Sequence, residues 1–315
     1  MPRKPRIHFP GAFYHVMLRG NHGQDVFFDQ TDRSRFCFLL QEGTIRFGYR
    51  IHAFCLMTNH VHLVVQVNQT PLSRIMQNLG FRYTQYFNRR QKKTGHLFQG
   101  RYKALLIDAE SYLLELVRYI HLNPVRAGVV EQPDAYAWSA HRAYLGLENL
   151  PLLTTDWVYV QFGQDADESR RRYEQFVTEG LRENFRPEFH RGSFEGRALG
   201  DDKFIEEALT RAEETINRHP SIESIIAAVC SVYRISTAEI ASRSRARKVS
   251  EARGVVALLV RETEGLALAG LGKCLKQDLS SLSQAARRVD QRLREDSGLQ
   301  GRIEAAKNNI PICQA

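Results

Sequence analysis

Two histidines separated by one residue, in Asn59-His60-Val61-His62 followed by Leu63-Val64-Val65, are the pair in this sequence best placed for chemistry. Alternate residues of a β-strand share a face, so His60 and His62 would project side by side, about 7 Å apart, with Val61 turned away. Two imidazoles at that spacing suit one side of a divalent ion, although two histidines on a solvated strand face would give the same pattern. A second group lies further along. Glu115, Tyr119 and Asn123 fall at i, i+4 and i+8, on one polar face of a helix whose apolar stripe is Leu113, Leu116, Val117 and Ile120. Beside a histidine pair, Tyr119 is a candidate nucleophile and Asn123 a candidate third ligand. Without the histidines the tyrosine would read as a half-buried packing residue.

The elements that must position these groups follow from patterning. Strands are predicted over residues 12–19, 50–57, 60–67 and 102–107 from their runs of Val, Ile, Leu and Phe. Helices are predicted over 31–47, with Thr31 as N-cap, and over 71–90, with Leu72, Ile75, Met76, Leu79 and Tyr83 on one side. The β-α-β-β-α-β order is that of a ferredoxin-like fold. The helix carrying Tyr119, over about 110–122, is expected to stop at Asn123-Pro124, because the residue before proline disfavours helix.

Composition narrows the partners. With 43% hydrophobic and 25% charged residues the chain reads as an ordinary globular protein. No apolar run approaches the roughly 18 residues of a membrane span, and no secretory apolar segment follows the basic N-terminus, so a membrane partner is not expected. Five cysteines without a Cys-x-x-Cys pair point to neither a disulfide framework nor a structural zinc site, and the expected compartment is the cytosol. Residues 1–150 hold 19 Lys and Arg against 10 Asp and Glu, whereas the remaining 165 hold 25 of each. The whole surplus sits in the half with the histidine pair, which points to a polyanion. Arg82, Arg89, Arg90, Lys92 and Lys93, interleaved with Tyr83, Tyr86 and Phe87, offer phosphate contacts and stacking surfaces, or else an amphipathic helix with its aromatics in the core. Arg101 and Lys103, alternating on a strand, are similar candidates.

Residues 149–219 read as a helical connecting region, with a boundary at His219-Pro220. Short helices over about 220–297 then follow, and 298–315 reads as a tail. The basic run Arg243-Ser244-Arg245-Ala246-Arg247-Lys248 precedes a helix that carries Arg253. The last two helices, the second running from Ser280 to Arg294, give helix-turn-helix. Such a reader sets the first residues of its second helix on base edges, here Ser280 and Ser281, with Arg287 and Arg288 placed for phosphate. A plain helical bundle would show the same helix pattern.

Taken in order, His60-Val61-His62, Gly95-His96-Leu97-Phe98-Gln99-Gly100-Arg101 and Tyr119-Ile120-His121-Leu122-Asn123-Pro124-Val125 resemble the single-tyrosine HUH transposases, most nearly the REP-associated tyrosine transposases of bacteria. The resemblance spans residues 5–146. It implies a metal site at His60, His62 and Asn123 holding Mg2+ or Mn2+, Tyr119 as nucleophile, and single-stranded hairpin DNA as substrate, cleaved through a 5′-phosphotyrosine. Residues 221–296 resemble the C-terminal DNA-binding domain of the replication initiator DnaA, which implies duplex DNA as a second partner. They depart from it at Asp278-Leu279-Ser280-Ser281-Leu282, where that family has Asp-His-Thr-Thr-Val. The expected class is therefore α+β: a ferredoxin-like HUH nuclease domain over 1–148, then an all-α helix-turn-helix domain over 220–297. The main rival is a catalytically silent, sequence-specific DNA-binding regulator. Monomer and dimer stay equally open.

Overall fold

The computed structural model describes residues 6–217, 220–242, 244, 246–263, 266–293 and 296–310. His219, Arg243, Arg245, Arg294 and residues 311–315, which figure in the expectations above, lie outside the described residues. Strand β1 (Phe13–Arg19) leads through helix α1 (Gln30–Phe47) to the hairpin β2 (Arg50–Leu56) and β3 (His60–Gln66). Helix α2 (Leu72–Gln91), strand β4 (Lys103–Ile107) and helix α3 (Ala109–His121) follow. These four strands stand in the order β2-β3-β1-β4, all antiparallel, as a ferredoxin-like β-α-β-β-α-β order requires. Directly paired residues share a face. Met17 opposite His62 and Lys103, and Arg19 opposite His60, therefore put His15, His60, His62 and Lys103 on one side. Val16, Leu18, Val61 and Leu63 fill the other, and all four are buried.

The start of α1 differs from expectation. Its cap is Asp29, not Thr31: the Asp29 carboxylate accepts from Asp32 N at 3.1 Å. Asp32 itself is 0% exposed and accepts from Phe28 N (2.9 Å), Tyr86 Oη (3.1 Å) and the Arg90 guanidinium. It ties α1 to α2. Asp32→Ala strands these donors, and we expect urea unfolding to show a loss of about 2–3 kcal/mol.

Of the region expected to connect two domains, residues 149–212 instead belong to the first. Contacts divide the chain into residues 1–212 and 213–315. Helices α4 (Asn123–Arg126), α5 (His141–Tyr144), α6 (Asp156–Tyr159), α7 (Ala166–Glu179) and α8 (Glu188–Arg191), strand β5 (Ala198–Leu199) and helix α9 (Asp202–Asn217) complete this stretch. Their Tyr173, Val177, Phe189 and Leu199 are buried in the same core as the sheet, which β5 extends in parallel beside β4. The pattern was hard to read because β5 is two residues long and four of these helices, α4, α5, α6 and α8, are single turns.

The second unit holds α10 (Ile222–Tyr233), α11 (Thr237–Ala241), α12 (Arg247–Glu262), α13 (Leu268–Leu275), α14 (Leu279–Arg292) and α15 (Ser297–Asn308). Gly254 lets α12 and α14 touch, since a Cβ there would lie 2.6 Å from Val289 Cγ2 and 3.1 Å from the Ala285 carbonyl. The predicted tail is largely α15, whose Leu299, Ile303 and Ala306 are buried in this unit's core. Helices α13 and α14 form the expected helix-turn-helix, with Lys276 in the left-handed conformation at the turn and Asp278 capping α14. Among the described residues, no helix is long and apolar enough to cross a membrane.

Candidate active site

Three imidazoles meet on one face of the sheet. His15 Nδ1 lies 2.9 Å from the Phe189 carbonyl, so it must carry the proton and donate. Burial drives the His15 pKa down to about 3, so its ring is neutral and Nε2 is left as an acceptor. His62 Nδ1 lies 2.8 Å from that Nε2 and must therefore donate to it, which leaves the His62 lone pair on Nε2. His60 repeats the arrangement more simply. Its Nδ1 donates to Asn59 Oδ1 at 2.7 Å, and burial, then Arg19, lowers its pKa to about 4. Both histidines of the pair thus keep an unprotonated Nε2 at neutral pH, with ring centroids 5.1 Å apart.

Tyr119 comes to the same place from α3. Its ring stands edge-on to His62, centroids 6.5 Å apart, and its hydroxyl donates to His190 Nε2 at 2.7 Å. The face expected to be polar is covered, leaving Tyr119 4% exposed. Phe189 packs on its ring, centroids 5.1 Å apart, and Phe185 stacks on His190. Arg186 reaches Glu115 at 3.3 Å, and Arg118 holds Glu115 and Glu183, so ion pairs fasten this cover to α3. Arg126 lies 3.9 Å over the Tyr119 ring and donates to its carbonyl, as does Asn123 Nδ2 at 3.3 Å. Burial raises the Tyr119 pKa, partly offset by Arg126, so the hydroxyl is held neutral. His190 is also kept neutral, by burial and then by Lys103.

The donor set can be tested for a divalent ion. Among the described residues there is no group of three or more His, Cys, Asp and Glu arranged to hold a metal. His60 and His62 each offer an imidazole Nε2 with a free lone pair, of the kind a divalent ion takes, whereas the Asn123 amide is turned through Nδ2 to the Tyr119 carbonyl at 3.3 Å, which leaves its Oδ1 as the candidate third donor. His15, Arg126 and His190 were missed in the sequence. His15 and Arg126 had a signal, in the phase of a strand and the turn after α3. His190 had none.

Burial of several histidines has a consequence for stability. His15 titrates near 3 and His141 near 4 in the folded chain, because burial disfavours their charged forms. Unfolded histidine takes its proton near pH 6.5, so the unfolded state binds more protons across the interval. Stability from these groups is complete above pH 6.5 and falls as pH drops towards 4 and then 3. Each contributes a slope of up to about 1.4 kcal/mol per pH unit. Urea midpoints measured at pH 7, 5.5 and 4 should decline steadily; equal midpoints would mean the rings gain charge without cost.

The basic candidates divide. Arg89, Lys92, Lys93, Arg101 and Lys103 are exposed. Arg82 pairs with Glu42 at 2.7 Å, and Arg90 is held by Asp29 and Asp32. The aromatics of α2 are not stacking surfaces, because Tyr83 and Phe87 lie in the core and the Tyr86 hydroxyl donates to Asp32. Phe81, 61% exposed, is the aromatic that α2 presents. In the second unit Arg247, Lys248, Ser280, Ser281, Arg287 and Arg288 are exposed. The Ser281 hydroxyl is engaged with the capping Asp278 at 2.6 Å, and Arg253 donates to the carbonyls of Ile240 and Ser244.

Comparison with known proteins adds three findings. Residues 9–123 match the family described as Transposase IS200 like, and residues 222–289 match the Bacterial dnaA protein helix-turn-helix. Two curated relatives, the Chromosomal replication initiator proteins DnaA 2 of Chlamydia trachomatis serovar D and Chlamydia muridarum, are each 29% identical over 92 residues, 29% of this chain. The chain spans 20% of their length. A solved structure of a REP-associated tyrosine transposase bound to a REP hairpin is 17% identical, with a TM-score of 0.40 over 48% of this chain and 90% of that one.

Proposed function

With residues 9–123 matching the IS200-like transposases and residues 222–289 the DnaA helix-turn-helix, we propose that this protein cleaves and rejoins single-stranded hairpin DNA through Tyr119. The observation that carries the reading is the convergence of one tyrosine hydroxyl, a histidine acceptor 2.7 Å away and two histidines with free Nε2 atoms. Tyr119 Oη attacks the scissile phosphorus, and His190 Nε2 takes the hydroxyl proton as the bond forms. The 3′-oxygen leaves and gains a proton, giving a free 3′-hydroxyl and a 5′-phosphate esterified to Tyr119. Attack by another 3′-hydroxyl reverses the step, so the bond energy is kept for rejoining. A divalent ion, Mg2+ or Mn2+, held by Nε2 of His60, Nε2 of His62 and Oδ1 of Asn123 would neutralise charge on the phosphate as a Lewis acid. Arg126, 3.9 Å over the tyrosine ring, helps hold the ring in place.

Strand binding falls to the exposed cations Arg89, Lys92, Lys93, Arg101 and Lys103. The second unit is proposed to bind duplex DNA, with Ser280 at the start of the recognition helix and Arg247, Lys248, Arg287 and Arg288 on phosphate. One observation favours the silent-regulator alternative: Tyr119 is 4% exposed beneath Phe189 and His190. The deciding experiment uses end-labelled single-stranded hairpins from the DNA flanking the gene, with manganese, magnesium or EDTA, on denaturing protein gels. Label that stays with the protein and needs metal supports the nuclease. Tight binding with no adduct on any hairpin leaves the regulator.

A further inference from the structure

The second unit leaves one large apolar side chain out of its core. Leu271, Leu275, Leu282 and Val289 of α13 and α14 are buried, whereas Leu279 is 55% exposed and packs on none of the core. Among the described residues of this unit, no other large hydrophobic side chain is exposed. A single exposed leucine needs no explanation by itself. Its place in the fold gives it one. Leu279 is the first residue of α14, the second helix of the helix-turn-helix. It stands where the DnaA domain has histidine, so whatever it does belongs to this chain.

The turn before it fixes where Leu279 stands. Gln277 N donates to the Gly272 carbonyl at 3.1 Å, and a Cβ on Gly272 would lie 2.9 Å from the Gln277 carbonyl oxygen, so glycine lets the turn close. Polar groups at this end of α14 are already engaged. One Asp278 oxygen accepts from Ser281 N at 2.7 Å, and the other accepts from the Ser281 hydroxyl at 2.6 Å. The exposed side chains that the first turn still offers a partner are therefore Leu279 and Ser280. Further along, Leu282, Ala286 and Val289 form the inward stripe of α14. Gln284 and Arg287, at i+4 and i+7 from Ser280, are exposed on the outward side.

We propose that Leu279 lies in the major groove against the 5-methyl group of a thymine and makes that base a requirement of the duplex site. The inference rests on the reading of the second unit as a duplex binder, and names what one of its residues reads. In a helix-turn-helix the first residues of the second helix meet base edges. The thymine methyl is the apolar group that those edges offer in the major groove. Against another base, leucine would bury donors or acceptors that it cannot satisfy. Charge favours DNA over a second copy of this chain, because Lys273, Lys276, Arg287 and Arg288 on the same two helices and their turn are all exposed. Two such surfaces would repel each other.

The test removes the methyl group and nothing else. The probe is a duplex that the full chain selects from a randomised pool, remade with deoxyuridine in place of one thymine after another. Affinities are measured in EDTA by fluorescence anisotropy. At one position deoxyuridine should weaken wild-type binding about fourfold, the worth of one buried carbon. Leu279→Ala should bind the two duplexes alike, and Leu279→Met, with an apolar tip, should restore the preference. Arg287→Ala is the control: it should lose affinity for both duplexes by one factor and keep the preference. Because Leu279 is exposed, both leucine variants should melt with the wild type. Wild-type binding indifferent to deoxyuridine at every position overturns the assignment. So does a preference for thymine that survives in Leu279→Ala. Self-association in sedimentation that Leu279→Ala abolishes, without any methyl effect, would give the residue to a second copy instead. Selection of no duplex at all would sink the duplex reading itself, whereas a selected duplex without methyl dependence sinks only the role of Leu279.

Discussion

Tyr119→Phe is expected to abolish covalent capture of hairpin DNA while leaving hairpin binding intact. The substitution removes one oxygen and little else. The ring is 4% exposed, packed by Phe189 and by the Arg126 guanidinium 3.9 Å away, and a phenylalanine ring fills the same space. The hydrogen bond to His190 is lost, at a cost in stability of about 1 kcal/mol. Loss of the nucleophile is a different order of effect. Cleavage should fall by about 10⁴-fold or more, because no other group takes over the bond to phosphorus. Quantified label transfer on denaturing gels reads the first effect, and anisotropy with the uncleaved hairpin reads the second. An adduct surviving in Tyr119→Phe would move the nucleophile elsewhere. Lost binding together with a lowered thermal midpoint would instead show that the hydroxyl holds the cover to α3.

How far the sequence could be read depends on whether a feature was local. The His60-Val61-His62 pair was legible because strand alternation alone puts both rings on one face, and the observed register confirms that shared face. Four strands and three long helices of the first unit were legible from their periodicity, and the helix-turn-helix from its turn. His15 was hidden. Its position was readable, but its role needs a diagonal neighbour on β3 and a carbonyl from α8, and nothing local encodes either. His190 was hidden more deeply, since it rides on a four-residue helix in a stretch without regular pattern. The same stretch explains the misplaced boundary, because segments that bury single residues such as Phe189 show no period. Tyr83, Tyr86 and Phe87 were ambiguous for the opposite reason: their spacing fits a core stripe and a stacking surface equally well, and only the packed partner α1 decides.

The second large effect concerns the histidine chain from Phe189 to His62. His62→Ala removes a donor outright, and metal-dependent cleavage should drop by about 10³-fold. His15→Ala is the more discriminating change, because His15 is proposed to hold no ion. The His15 ring fixes which nitrogen of His62 carries the proton: the Phe189 carbonyl sets the first donor, and each ring passes the constraint on. Without it, the His62 ring is free to rotate and to protonate Nε2. An outer partner of this kind is worth about 10–100-fold in metal affinity. Manganese binding to the full chain, followed by the fall in its electron paramagnetic resonance signal, should therefore weaken in His15→Ala by that factor and more in His62→Ala. The wild-type hairpin affinity in EDTA should survive in both. Since His15 is buried, its truncation also leaves a cavity, so His15→Gln serves as the second variant. An amide oxygen there can still accept from His62 Nδ1, and manganese affinity should recover towards wild type. If His15→Ala binds manganese as tightly as wild type, the imidazole chain orients nothing, and His15 is a packed core histidine whose hydrogen bonds merely satisfy a buried ring.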